Sequence, residues 1–219
     1  MAAAPRVKYS TAFLLLYALL GVSVGGSVEG WVIPIDYFFP FKVAIIPVLL
    51  LFVAVQSYRP GWLLGALLFS WIGDITIHFT FMGGVASFLV AHLVYAYGFY
   101  RQREQPVRPR WWIFFSLPVY IGLLMGLLLP HTGEFTLPVM LYALAISGML
   151  ITALYVQPFV GKWWLVAGAI CFVISDSVIA INKFAYPFEG ADVLIMGSYM
   201  LAQLGLVMGS VHLYKKVGR

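Results

Sequence analysis

The chain has 219 residues, of which 63% are hydrophobic and only 10% are charged. That composition leaves too little polar surface for a soluble domain of this size and indicates a membrane protein with several spans. The net charge of +5 does not indicate nucleic-acid binding, because the basic residues lie in short loops and tails between apolar runs. The single cysteine, Cys171, excludes an internal disulfide.

Eight apolar runs follow one another along the chain, separated by short connections. They cover about residues 10–26, 39–57, 61–80, 83–100, 111–129, 135–156, 163–182 and 191–213. Runs of this length favour membrane-spanning helices, which satisfy their backbone hydrogen bonds internally, over the short alternating strands of a barrel. The sequence therefore predicts an all-α membrane protein, in which residues 1–219 form a single domain, a bundle of about eight transmembrane helices.

Basic residues are distributed unevenly between the two sides of this predicted bundle. Eleven fall at the N-terminus, in every second loop or at the C-terminus, whereas Lys42 and Lys183 alone fall on the other side. Since positive loops favour the cytoplasm, both termini are predicted to be cytoplasmic. The first run also resembles a signal peptide, but its length and the lack of a clear cleavage site favour a retained helix.

Two aspartates inside apolar runs are the strongest functional signal of the sequence. Asp74 occurs in FSWIGDITIHF and Asp176 in FVISDSVIAINKF. An ionised carboxylate is costly in the hydrocarbon region, so such residues usually face the bundle interior and serve a function. A buried ion pair, for example with Lys42, is the structural alternative. Each run that carries an aspartate is followed by an apolar run with internal polar residues. A repeat of four helices plus four would produce this pattern.

Six further polar residues are candidates for the same site when the runs are followed at about 1.5 Å per residue. They are Lys42, His78, His92, Asn182, Tyr199 and Gln203. Asp74 shares a helix face with His78, and Tyr199 shares one with Gln203, since each pair is four residues apart. Taken singly, each has a structural explanation as a snorkelling, hydrogen-bonding or core residue. Together they predict one site in the outer, non-cytoplasmic half.

The runs that carry these residues resemble a known family. The stretches FKVAIIPVLLLF, FSWIGDITI, ASFLVAHLVYAYGF, FVISDSVIAINKF and ADVLIMGSYMLAQ are similar, in order and spacing, to the lysoplasmalogenase or YhhN family of multipass membrane proteins. The resemblance covers about residues 42–203. It implies hydrolysis of the vinyl ether bond of lysoplasmalogens to a fatty aldehyde and glycerophosphocholine or glycerophosphoethanolamine. It also implies Asp74 and Asp176 as catalytic residues, with a site lined by Lys42, His92, Tyr199 and Gln203.

The two aspartates suit this chemistry. Proton transfer from a carboxylic acid to the β-carbon of the double bond generates an oxocarbenium ion, whose α-carbon then accepts water. Either aspartate can supply the proton; we favour Asp176 as the acid and Asp74 as the base, with Lys42 holding one of them ionised, by analogy with glycosidases. The expected partners are a single-chain lysophospholipid and membrane lipids, without nucleic acid and without a cofactor.

Other functions stay open at this point. A proton-coupled small transporter or lipid flippase would use the same aspartates, although transporter sites favour the midplane and broken helices. A zinc-dependent lipid amidase would contain metal, but the four histidines form no H-E-x-x-H motif and no metal site is predicted. A structural scaffold would leave the aspartates unexplained. The headgroup preference, the oligomeric state and the host membrane, bacterial inner membrane or endoplasmic reticulum, are not predicted.

Overall fold

A computed structural model describes residues 11–28, 38–56, 59–103, 105–106 and 111–217. Within these ranges the chain forms eight α-helices, with a 3₁₀ turn (Gly133–Phe135) before the sixth and a π-helical segment (Ile181–Ala185) after the seventh. The helices are α1 (Thr11–Val28), α2 (Phe38–Ala54), α3 (Gly61–Phe79), α4 (Phe81–Arg101), α5 (Trp111–Thr132), α6 (Thr136–Tyr155), α7 (Lys162–Ala180) and α8 (Ala191–Val217). The predicted all-α class is confirmed.

Five stretches of the described chain are long and apolar enough to cross a membrane. They are Gly61–Phe79, Phe81–Arg101, Trp111–Tyr155, Lys162–Ala185 and Ala191–Leu213. The third contains both α5 and α6, and its 45 residues are about twice the ~20 that one crossing needs. The chain is thus an integral, multi-pass membrane protein. Eight crossings and cytoplasmic termini stay predictions, and residues 1–10 and 218–219 lie outside the described residues.

Two closely packed helix pairs, α3–α4 and α7–α8, carry both aspartates. Only Thr80 separates α3 from α4, and its side-chain oxygen accepts a hydrogen bond from the Gly83 N–H at 2.9 Å, which caps α4. The connection before α8 ends at Gly190, whose φ is +77°. A residue with a β-carbon would be strained at this position, so glycine suits it. Thr80 thus connects the helices of the first pair, and Gly190 allows the turn into the second helix of the other pair.

Glycines allow α7 and α8 to approach at backbone distance. A β-carbon on Gly168 would lie 2.6 Å from the Leu206 nitrogen, and one on Gly205 would lie 2.8 Å from the Gly168 Cα atom. Lipid tails are as apolar as the side chains of the helices, so the hydrophobic effect does not drive helices together in a membrane. Close backbone packing is therefore a main source of helix association there. The α7–α8 contact fixes the helix that carries Asp176 against the one that carries Tyr199.

The other helices are attached to these pairs. Tyr17 of α1 donates a hydrogen bond to the Met200 carbonyl of α8 at 2.7 Å, and Trp71 of α3 donates one to the Val43 carbonyl of α2 at 3.0 Å. Helix α6 packs against α4 and α7, whereas α5 is attached mainly to α6 and the π-helical segment. This arrangement leaves a space between α5 and the rest of the bundle.

Candidate active site

Asp176 of α7 lies in a cluster with His92 of α4 and Tyr142 of α6, which we call the Asp176 cluster. The Tyr142 hydroxyl donates a hydrogen bond to Asp176 Oδ2 at 2.5 Å, and His92 Nε2 lies 3.2 Å from the same oxygen. His92 Nε2 also lies 2.9 Å from the Tyr142 hydroxyl. Three helices thus converge on one carboxylate oxygen. Among the described residues these contacts all reach Oδ2, and none reaches Oδ1.

The His92 ring is completely buried and held by its neighbours. The ring centre lies 5.2 Å from that of Tyr142 and 4.6 Å from that of Phe172, both in edge-on contacts. Within the described part of the chain, Nδ1 is buried without a hydrogen-bond partner. We infer that the ring hydrogen of His92 is on Nε2, which donates a hydrogen bond to Asp176, because a protonated Nδ1 would be an unpaired buried donor.

Asp176 and Tyr142 line a cavity that opens at the surface of the bundle, and its empty space together with the open space at its mouth is about 860 Å³. Its walls come from α3 to α7 and the π-helical segment, and apolar residues such as Leu124, Met125 and Ile146 dominate them. Asp176 is the one charged residue among the described residues that line it. An apolar space with one carboxylate suits a ligand that has an apolar chain and a polar group.

Asp74 of α3 belongs to a second polar group, the Asp74 cluster, which also contains Tyr95, Tyr199 and Gln203. The Tyr199 hydroxyl donates a hydrogen bond to Asp74 Oδ2 at 2.7 Å, and the Tyr95 hydroxyl donates one to Gln203 Oε1 at 3.1 Å. All four side chains are buried, and Asp74 is only 1% exposed. Lys42 of α2 interacts electrostatically with Asp74. The Asp74 cluster therefore connects α3, α4 and α8.

The two clusters are neighbours but remain separate. The centre of the Phe172 ring lies 4.6 Å from the ring centre of His92 in the Asp176 cluster and 5.6 Å from that of Tyr199 in the Asp74 cluster. Phe88 packs edge-on against both Phe172 and Tyr199. Asp176 lines the cavity, whereas Asp74 is not among its lining residues. Phe172 thus contacts rings of both clusters, and the single site predicted from the sequence stays a prediction.

Two other predicted site residues have contacts of their own. His78 is exposed near the end of α3, and its ring lies 4.4 Å from that of Phe39. Asn182 lies in the π-helical segment, where its Oδ1 accepts a hydrogen bond from the Phe188 N–H at 3.1 Å and stabilises the connection to α8. In the described structure neither side chain is hydrogen-bonded to an aspartate, so their predicted role in substrate binding stays a prediction.

Tyr142 is a site residue that the sequence analysis did not find. It occurs in an apolar run that also contains Ser147 and Thr152. Those short side chains donate hydrogen bonds to carbonyls of their own helix, Ser147 to Ala143 and Thr152 to Gly148, as is typical of serine and threonine in helices. The side chain of tyrosine is too long to make that local bond. A tyrosine in an apolar run can therefore indicate a hydrogen bond to another helix, as Tyr142 makes.

Metal-ligating side chains do not gather in the described residues: no group of three or more His, Cys, Asp and Glu side chains there could hold a metal ion. The clusters instead consist of carboxylates with hydroxyl, amide and imidazole partners. Such groups are suited to proton transfer and hydrogen bonding.

Comparison with known proteins finds relatives for most of the chain. The YhhN family matches residues 37–210. A protein of Mycobacterium bovis named lysoplasmalogenase is 34% identical over 157 residues, which cover 68% of this chain and 59% of the relative. A protein of Sus scrofa named lysoplasmalogenase TMEM86B is 36% identical over 170 residues, which cover 74% of this chain and 71% of the relative.

A human protein named lysoplasmalogenase TMEM86B is 34% identical over 183 residues, covering 79% of this chain and 76% of the relative. The chain spans only 59% of the length of the mycobacterial relative. No solved structure matches this chain. Both clusters and the residues that line the cavity lie within the matched range, residues 37–210.

Proposed function

Because the chain belongs to the YhhN family, we propose that it hydrolyses the vinyl ether bond of lysoplasmalogens. The products are a fatty aldehyde and glycerophosphocholine or glycerophosphoethanolamine. The relatives named lysoplasmalogenase support this reaction. The observation that carries the proposal for this chain is the position of Asp176, a hydrogen-bonded carboxylate that lines an apolar cavity.

The cavity accommodates the alkenyl chain of the lipid. Its walls are apolar along α5 and α6, so a hydrocarbon chain leaves the bilayer for an environment of similar polarity. Apolar contact alone does not fix the position of such a chain, and the few polar groups of a pocket orient its ligand. The vinyl ether is the polar bond of the chain and lies at Asp176.

The first step is proton transfer from Asp176 to carbon. The O–H bond at Oδ1 breaks, and the π electrons of the double bond form the new C–H bond at the β-carbon. The α-carbon and the ether oxygen then share the positive charge of an oxocarbenium ion. Meanwhile Oδ2 keeps its contacts with Tyr142 and His92, which stabilise the negative charge left on Asp176.

The second step uses the same carboxylate as a base. Asp176 accepts a proton from water while the water oxygen bonds to the α-carbon, which gives a hemiacetal and restores the carboxylic acid. The hemiacetal then breaks its bond to the glycerol oxygen and transfers its hydroxyl proton to that oxygen. One carboxyl group acting first as an acid and then as a base is an established pattern in general acid–base catalysis.

This scheme gives the two aspartates different roles from those predicted for an acid–base pair. Asp74 does not line the cavity, so we assign it a positioning role through Tyr199, to which it is hydrogen-bonded. The Tyr199 ring packs against Phe88 and Phe172, and Phe172 contacts the His92 ring. Asp74 thereby supports the Asp176 cluster without touching the lipid.

Aldehyde release by the purified protein tests the proposed function. The substrate is a lysoplasmalogen, and the control is the saturated ether analogue, which has no double bond to protonate. We expect aldehyde from the vinyl ether alone and, in deuterated water, one deuterium on the carbon next to the aldehyde group. If folded protein releases no aldehyde, the hydrolase proposal is wrong, and uptake assays with a pH gradient would then examine the transporter alternative.

A further inference from the structure

An exposed lysine lies beside a wall residue of the cavity, just after the end of α7. Lys183 belongs to the π-helical segment, and its Nζ atom lies 5.4 Å from the centre of the Phe81 ring. Phe81 lines the cavity, and so does Phe184, the next residue in the chain. The ammonium group therefore lies against a residue of the cavity wall, since an aromatic face attracts a cation.

The charge of Lys183 has no anionic partner in the described part of the protein, where no carboxylate oxygen lies within 4 Å of its Nζ atom. The Phe81 ring contacts one side of the ammonium group and accepts no conventional hydrogen bond. The three N–H donors of a lysine therefore stay available for an anion. Lysine is also a common ligand of phosphate groups, which it binds as a point charge.

The distance from Asp176 to Lys183 fits a lysophospholipid. Seven residues separate them (176 to 183), or about 10 Å along a helix axis. In a lysoplasmalogen six covalent bonds lie between the α-carbon of the vinyl ether and the phosphorus, as in two residues of extended backbone, and span roughly 7 Å. The flexible lysine side chain closes the remaining gap. A lipid with its vinyl ether at Asp176 thus places its phosphate near Lys183.

We propose that Lys183 binds the phosphate of the substrate headgroup and selects lysophospholipids over uncharged alkenyl glycerols. This inference rests on the proposed function, because it concerns the same cavity and the same lipid. Lys183 is a binding residue in this scheme and takes no part in proton transfer. The π-helical segment is consistent with the proposal, since π-helical turns occur frequently at functional sites.

Two substrates that differ only in the phosphate group test this inference. The first is a lysoplasmalogen, and the second is the alkenyl glycerol with the same chain. We expect Lys183→Gln to raise KM for the lysoplasmalogen roughly tenfold, the size of one charge-assisted hydrogen bond, with little change in kcat. The same variant should leave kcat/KM for the alkenyl glycerol unchanged, and Lys183→Arg should retain most of the affinity for the phospholipid.

Arg101→Gln is the matched control. Arg101 is also an exposed cation over an aromatic ring, 5.9 Å from the centre of Tyr97, but it lies at the other end of α4 from Phe81. This variant should leave both substrates unaffected. An equal loss on both substrates with Lys183→Gln, or no loss on the lysoplasmalogen, would overturn the phosphate role while leaving the hydrolase intact. Wild-type protein that cleaves neither substrate would refute the proposed function and this inference together.

Discussion

At the scale of single residues, Asp176 combines a hydrogen-bonded carboxylate oxygen with a second oxygen that is left for a ligand. Tyr142 and His92 contact Oδ2 from two different helices. Donors of this kind hold a carboxylate in one orientation and stabilise its charge at the moment of proton transfer. We therefore expect the tyrosine hydroxyl to affect the rate of the reaction more than the affinity for the lipid.

Tyr142→Phe tests this expectation. Removing one charge-assisted hydrogen bond costs about 1.5–3 kcal/mol, which corresponds to a fall in kcat of roughly ten- to a hundredfold. KM should change little, because the hydroxyl is bonded to Asp176 rather than to the lipid. Steady-state kinetics with a lysoplasmalogen, together with a thermal unfolding curve, measures both effects.

Tyr97→Phe is the control for this change. Tyr97 is exposed, and its hydroxyl accepts a hydrogen bond from Arg101 at the end of α4 that lies away from Phe81. Its removal should leave kcat and KM unchanged. If Tyr142→Phe has wild-type kcat, the hydroxyl does not assist Asp176, and the role given to the Asp176 cluster is wrong.

The sequence indicated the aspartates but not the difference between them. Asp74 and Asp176 lie in similar apolar runs with similar predicted depths, and depth along a helix does not determine which neighbours a side chain meets. That depends on how α3, α6 and α7 are arranged. His92 was predicted as a site residue, and the structure brings it to Asp176. Tyr142 was not predicted, although its hydroxyl is hydrogen-bonded to the same carboxylate oxygen.

At the scale of helices, the same glycine spacing has different roles in different places. Gly205 and Gly209 of α8 both face the backbone of α7. Gly122 and Gly126 of α5 have the same four-residue spacing, but no atom of the described residues beyond their own stretch of helix lies within 4 Å of a β-carbon built on either. A Gly-x-x-x-Gly pattern in the sequence therefore shows that close packing is available, while the fold determines where it is used.

Gly205→Ala and Gly122→Ala form a matched pair that tests this distinction. The added methyl group at Gly205 would lie 2.7 Å from the Trp164 carbonyl oxygen and would push α7 away from α8. Overpacking of this kind costs typically 1–3 kcal/mol, a fall in Tm of roughly 2–12 °C for a chain of this length. At Gly122 alanine should be neutral or slightly stabilising, because it favours helix formation.

Thermal unfolding in detergent measures both variants. The interpretation fails if Gly205→Ala unfolds at the wild-type temperature, or if Gly122→Ala is destabilised to the same extent. Loss of activity with Gly205→Ala at temperatures where it is folded would show, in addition, that the α7–α8 contact positions the Asp176 cluster.

The helices themselves were predicted from the sequence to within a few residues, because long apolar runs between short polar connections determine them. The end of the seventh helix has a feature that the sequence did not predict. The apolar run predicted its end near residue 182, whereas the helix continues as the π-helical segment Ile181–Ala185. A π-helical turn has no clear sequence signal, since packing and not local preference selects it.

At the scale of the whole molecule, the cavity is formed by residues of five helices and the π-helical segment that lie far apart in the chain. Apolar composition predicted that the interior of the bundle would be apolar, but it could not distinguish a filled core from an open space. That distinction depends on the position of α5, which is attached to the bundle through few elements. The cavity is accordingly the part of the site that sequence reasoning could not supply.

The size of this cavity should limit the length of the substrate chain. Ile121 of α5 lines the cavity, so Ile121→Trp should fill part of it and lower kcat/KM for long alkenyl chains more than for short ones. Leu123→Trp is the control, because Leu123 lies on the same helix but is 71% exposed. Rates for a series of lysoplasmalogens of increasing chain length measure the effect, and an unchanged length profile for Ile121→Trp would show that the chain binds elsewhere.

The measurement that tests the central claim most directly compares aldehyde release by Asp176→Asn and Asp74→Asn. Asparagine keeps the shape of the side chain but has no carboxylic acid proton to transfer. We expect Asp176→Asn to lose at least the factor of about 10²–10⁴ that general acid catalysis contributes, while remaining folded. Asp74→Asn should be less stable and less active but still release aldehyde. Folded Asp176→Asn protein with wild-type activity would contradict the account, and equal loss in both variants would return Asp74 to the reaction itself.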